Sequence, residues 1–233
     1  MSPRSSWRCL TLLILLACGA NCAVAASAAI DALSNKDAAA GLREALSKGV
    51  DVAVAQLGAT DGFLKDPKVM IPLPPLLAKA QRGLALLGMG PQADELKATM
   101  NHAAESAVAQ ARPIFRQALK SMTLTDAKGI LTGGDGAATA YFRRATSTHL
   151  VDRFKPVVSA ATAKLGLAAK YDQYAGKAAR LGLVPKQDAN LDDYITAKAL
   201  EGLFSRIADQ EHAIRKDPLG QADSLIRKAF GAL

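Results

Sequence analysis

The sequence predicts an all-α protein: a compact bundle of about seven to nine helices, with proline-kinked helices and one irregular proline-rich segment. Three observations carry this. Alanine and leucine dominate, and β-branched residues rarely alternate with polar ones, which favours helix nearly everywhere. Apolar residues recur at spacings of three and four, the period of a helix with one buried face. Glycine and proline punctuate the chain between such segments.

The first helix is read from about Asp37 to Leu57, where Leu42, Ala45, Leu46, Val50, Ala53 and Leu57 make one stripe and Gly58 stops it. Asp61 to Pro75 is irregular. Asp61-Gly62 is a turn signal and Pro67, Pro72, Pro74 and Pro75 bar regular helix, leaving Val69-Met70-Ile71 as a short extended piece. A second helix spans Leu76 to Leu87 and ends at Gly88. Pro91 suits the first turn of the next, Gln92 to Ser121, which Pro113 should kink or split. Thr125 can cap a short helix from Asp126 to Leu131. Gly133-Gly134-Asp135-Gly136 breaks the chain, and a long helix follows from Ala137 to Leu165, interrupted near Pro156. Further helices run from Ala168 to Leu181, from Leu191 to Arg215 behind a cap at Asn190 or Asp188, and from Gln221 to Phe230. No repeat of solenoid length is visible.

The first 26 residues read differently. Arg4 and Arg8 precede the apolar run Leu10 to Cys18, and small residues follow to Ala25 and Ala26. This is the order of a secretory signal, and the run is too short for the roughly 20 residues of a spanning helix. Two processing routes are open: cleavage after Ala25 or Ala26, or lipidation at Cys18 within Leu15-Leu16-Ala17-Cys18. Cleavage after Ala26 leaves residues 27–233 as one helical domain, placed in the periplasm or secreted; lipidation would anchor it to a membrane. All three cysteines (Cys9, Cys18, Cys22) lie in the leader, so a domain cut after Ala26 has no disulfide. The formal charge of +8 falls by two, to +6, with Arg4 and Arg8. A basic excess in an exported protein suggests anionic partners such as lipid headgroups or surface polysaccharide, although dispersed lysines and arginines read more simply as a solvated surface; nucleic acid is disfavoured. The partner classes expected are an envelope protein, anionic lipid or an apolar small molecule.

Chemistry-bearing patterns are sparse. His102, His149 and His212 have neither cysteine partners nor zinc-ligand spacing. No G-x-S-x-G elbow is present, and no cofactor is indicated. The 133–136 turn could present a helix N-terminus to an anion, with Thr139 and Arg143 beside it. In the simpler reading Gly133 ends one helix and Asp135 caps the next. Glu105 lies close to an apolar stripe and needs a partner, such as Arg143 or Arg215. Glu211 and Arg215 pair at i, i+4, and Glu201 shares roughly one side with Glu211. Glu105, Asp126, Asp135, Thr139, Arg143, Glu211 and Arg215 are therefore the candidate polar binding cluster. Tyr141, Phe142, Tyr194 and Phe204 are assigned to the core, and Tyr171 and Tyr174 to half-exposed positions.

Several stretches together resemble a known bacterial family, domain of unknown function 4197. They are Leu57-Gly58…Asp61-Gly62-Phe63, Ile71-Pro72-Leu73-Pro74, Asn101-His102-Ala103-Ala104-Glu105, Met122 to Ala127, Ile130 to Gly133, Ala137 to Phe142, and Gly202-Leu203-Phe204…Glu211…Ile214-Arg215…Pro218. The resemblance spans about Ala40 to Leu233. It implies an exported, mainly helical protein and transfers neither an activity nor a catalytic residue. The reading reached is a non-enzymatic helical binding module of the cell envelope. The alternatives are a carrier of apolar molecules, or an enzyme with Glu105, Asp126, Glu211 and Arg215 around a central cleft.

Overall fold

The computed structural model describes residues 19–181 and 191–217, with side chains from residue 36 onward except at Leu76 and Ala179. Eight helices and no strand occur among the described residues: α1 Gly19–Leu57, α2 Pro75–Leu86, α3 Gly90–Val108, α4 Arg112–Ser121, α5 Leu124–Thr132, α6 Ala137–Lys164, α7 Leu167–Arg180 and α8 Leu191–Lys216. The expected helix over Gln221–Phe230, the caps at Asn190 or Asp188, and Cys18 lie outside the described residues.

The multi-helix bundle agrees with the sequence, and its departures have local causes. The first helix is already formed at Gly19, the first described residue, well before Asp37. The segment between is rich in alanine, the strongest helix former. Residues 69–71 form a turn and an irregular stretch instead of an extended strand. Pro113 splits its helix, as one of the two expectations had it. Residues 109–111 break the run, and Pro113 falls in the first turn of α4, where its missing N–H costs nothing. Pro156, by contrast, sits inside an uninterrupted α6. Its ring is exposed, as is Asp152 one turn before, so water can satisfy the carbonyl that the proline leaves unpaired.

Helices α3, α6 and α8 form the centre, each packing on the other two. α1 covers α8 and touches α4 and α5, while α7 lies on α3 and α6, and α2 bridges α3 and α7. The core holds rings from three helices. Phe115 of α4 meets Phe142 of α6 edge-on at 5.1 Å, and Phe204 of α8 at 6.2 Å. Edge-to-face pairs contribute about 0.5–1.5 kcal/mol beyond the area they bury. Tyr141, Phe142 and Phe204 are core residues as expected. Tyr194 is only half-buried, with its hydroxyl donating to the Pro72 carbonyl. Tyr174 is fully buried, against the expected half exposure, because its side of α7 faces the bundle.

The segment between α1 and α2 is tied down along α8. Lys68 pairs with Asp209, and Arg206 pairs with Asp66. Phe63, fully buried, lies over Gly202. A Cβ on Gly202 would stand 2.7 Å from the Phe63 ring and 3.4 Å from Val69 Cβ. Gly202→Ala is therefore expected to cost about 1–3 kcal/mol through overpacking. Urea unfolding of the variant measures this; an unchanged midpoint would show that the contact is soft.

Candidate functional site

The seven candidate residues fall into separate settings. The most closely knit is the start of α6. A helix opens with N–H groups that lack an intrahelical acceptor, and its N-terminus carries a partial positive charge. The Gly133-Gly134-Asp135-Gly136 turn delivers Gly136 to the N-cap position in the left-handed region, φ 88°, with no side chain to cap the helix. Asp135 does not cap either; its carboxylate reaches His212 Nδ1 at 3.2 Å on an exposed rim.

The cap comes from α8. Glu211 Oε1 accepts from the Ala138 N–H at 2.9 Å, and Oε2 accepts from the Thr139 N–H at 2.9 Å and the Thr139 hydroxyl at 2.8 Å. Arg215, one turn on, donates to Glu211 Oε1 through Nε at 3.1 Å and Nη2 at 3.0 Å. Arg215 Nη2 also donates to the Ile130 carbonyl of α5 at 2.8 Å. Glu211 is 4% exposed and Arg215 15%, so little water competes with these bonds. The helix N-terminus that the sequence offered to an external anion thus already holds an internal one. One turn beyond Thr139, Arg143 stacks on the Phe204 ring with its guanidinium carbon 4.5 Å from the centroid.

Glu105 stands elsewhere. Its partners are backbone N–H groups and not the expected arginine: Oε2 accepts from Asp61 and Oε1 from Phe63, both at 3.2 Å. Asp61 has φ 62°, an uncommon left-handed conformation for a non-glycine residue. Its carboxylate meets His102 Nε2 at 3.1 Å and Lys65 Nζ at 2.8 Å. One turn before Glu105, Asn101 brackets Ile71, accepting its N–H at 2.8 Å and donating to its carbonyl at 3.0 Å. Helix α3 therefore grips the irregular segment at two points through an i, i+4 pair. Asn101 was not singled out by sequence reasoning. The clue was there: an amide four residues before a carboxylate on an otherwise apolar stripe.

Burial raises the Glu105 pKa, opposed by the Phe63 N–H, the His102 charge and the Asp61 N–H. The hydrogen bond from Lys65, then that from His102, lowers the pKa of Asp61. Asp126 closes a capping box with Thr123, the observed N-cap of α5 in place of the expected Thr125. The Thr123 hydroxyl bond lowers the Asp126 pKa, and Arg144 lies 3.6 Å away. Glu201 is exposed and pairs with Lys198, so it shares no environment with buried Glu211.

The structure thus joins Glu211, Thr139 and Arg215, sets Asp135 and Arg143 beside them, and holds Glu105 and Asp126 apart on their own partners. A groove of about 570 Å³ opens between α4 and α6, over Ile114, Ala118, Ala145 and His149; none of the seven candidates lines it. Among the described residues no group of three or more histidine, cysteine or acidic side chains is placed to hold a metal ion. No described helix is long and apolar enough to cross a membrane.

Fold and site together define an all-helical protein whose buried carboxylates brace its own backbone. A family model, "Protein of unknown function (DUF4197)", matches residues 32–231, and the chain belongs to that family. No curated protein and no solved structure matches the chain.

Two outcomes follow. Glu211→Ala leaves two buried N–H groups without an acceptor and removes the carboxylate from Arg215, an expected loss of about 3 kcal/mol in denaturant unfolding. Glu211→Gln should lose less, because its amide oxygen still accepts. The second outcome is a pH dependence. A carboxyl whose pKa rises on folding adds stability that is full below its unfolded value, near 4.5, and is lost as pH climbs through the folded value. Asp61, lowered on folding, has the opposite sign: its contribution is present above 3.8 and is lost as pH falls through the folded value. Glu105→Gln should flatten the decline on the alkaline side of 4.5 and leave the acid limb below 3.8 in place. Unfolding curves across pH that superimpose for variant and parent would refute the assignment.

Proposed function

We propose that the protein is a non-enzymatic component of the cell envelope, an exported helical module that works by binding. The observation carrying this reading is how the buried carboxylates are used. The Glu211 and Glu105 oxygens accept from the protein's own N–H groups, hydroxyl and guanidinium, and so are committed before any substrate arrives. A general acid or base needs reach to a substrate proton. The leader-like first 26 residues support export, as does a family match that starts downstream of them, at residue 32.

Fractionation with intact-mass measurement tests the location. A periplasmic chain starting at Ala26 or Ser27 supports export, as does a membrane fraction starting at a lipidated Cys18. An unprocessed cytoplasmic chain overturns it. The non-enzymatic half is tested in a strain lacking the gene, by expressing Glu105→Gln and Glu211→Gln chains. Restoration of growth and envelope integrity should track the amount of folded protein. A variant that is folded and abundant yet inactive would assign these carboxylates to chemistry.

A further inference from the structure

We infer that the tip where α2 turns into α3, together with the end of α7, docks on the surface of an anionic phospholipid bilayer. Three of the six exposed large apolar side chains among the described residues belong to these two elements. Leu86 is 89% exposed, Leu87 55% and Leu181 47%. The turn holds the first two outward. The Gly88 N–H donates to the Ala85 carbonyl at 3.0 Å and the Met89 N–H to the Leu84 carbonyl at 3.0 Å, with Gly88 at φ 77°. That is a Schellman closure, in which the residues before and after the turn, Leu84 and Met89, tuck together into the core. Leu86 and Leu87 are left on the outer side of a hydrogen-bonded turn, unable to retreat with them.

The surroundings are cationic. Lys79, Arg82 and Leu86 follow one another at three- and four-residue spacing on the exposed face of α2, a helix that contains no acidic residue. Lys177 and Arg180, in the last turn of α7, line a shallow pocket with Leu87 and Gly88. None of these four cations has an ion-pair partner among the described residues. Asp172 borders the same pocket; on α3, Asp94 pairs with Lys97 at 3.1 Å and Glu95 with Lys170 at 3.2 Å. Leucines at an apex flanked by unpaired lysine and arginine are the pattern that enters the headgroup region of an acidic bilayer: apolar tips reach the acyl boundary and cations meet lipid phosphates. The exported reading bears only on which membrane is met; contact with vesicles is independent of it.

The test uses the full chain with Trp7→Phe, which removes the only tryptophan. Leu87→Trp is compared with Val151→Trp on the exposed flank of α6, in vesicles of phosphatidylglycerol with brominated acyl chains. Circular dichroism melts confirm that both fold. Quenching at position 87 is expected to exceed that at 151 several-fold. It should disappear in brominated phosphatidylcholine vesicles and fall several-fold when Lys177→Glu and Arg180→Glu are added. Equal quenching at the two positions would mean that the leader or another face holds the chain, and would overturn the inference. So would quenching that persists in neutral vesicles. Absence of quenching at 87 would also overturn it and leave the tip to a protein partner. Failure of export in the fractionation experiment would leave these vesicle results unaffected.

Discussion

A single carboxylate settles how the two longest described core helices meet. α6 begins inside the protein, with Ala138 and Thr139 buried, and Gly136 gives it no cap. Glu211 closes that end from α8, and Arg215 compensates its charge while also holding the end of α5. A buried charge is tolerable only when its lone pairs are nearly all used; here five donor contacts converge on two oxygens. The geometry fixes the position of α8 along α6. Sliding α8 by one turn would move the carboxylate by about 5.4 Å and strand both N–H groups. The edge-on contacts of Phe115 with Phe142 and Phe204 depend on the same alignment.

The same solution recurs with a loop instead of a helix end. Glu105 gathers the N–H groups of Asp61 and Phe63, and Asn101 gathers both polar groups of Ile71. A segment with four prolines cannot satisfy its backbone by regular structure, yet it lies against the core. Side chains of α3 replace the missing ladder. This explains why polar residues on apolar stripes need not announce catalysis: each supplies an acceptor or donor that irregular or terminal backbone lacks. The stretches that carry the family resemblance include both halves of these contacts, Asp61-Gly62-Phe63 with Asn101 to Glu105, and Ala137 to Phe142 with Glu211 to Arg215.

Much of the helical layout was legible because proline, glycine and apolar spacing act locally. Gly58, Pro91 and Pro113 mark boundaries by what their own backbones can do. Pro156 was misleading because its effect depends on environment: on an exposed face, water satisfies the carbonyl that the ring leaves free. The i, i+4 pair of Glu211 and Arg215 was legible too, since both ends lie on one helix. What the pair caps was not, because Ala138 is 73 residues away in sequence. The Glu105 partner was missed for a related reason. Charge suggested an arginine, whereas burial beside an irregular segment made backbone N–H groups the nearer source of donors. Tyr174 was misplaced because charged neighbours suggested a wet face, whereas Lys170, one turn before it, reaches Thr99 and Glu95 of α3 and the ring beside it is buried.

This division between interior and surface bears on what the protein can do. Inside, Asn101, Glu105 and Glu211 are committed to backbone, so a ligand reaching them would have to displace bonds on which the helix alignment rests. Outside, the same tendency toward closure has the reverse effect at the end of α2. The Schellman turn satisfies its own carbonyls and draws in Leu84 and Met89, but a helix that ends there must point its final residues somewhere, and Leu86 and Leu87 face water. A globular chain normally blunts such a tip with a polar residue. Here the polar residues are cations set beside the leucines and left unpaired by the rest of the described surface. The bilayer contact we propose would thus lie at the periphery, on residues outside the brace between α6 and α8, while the residues that first look chemical hold the scaffold together.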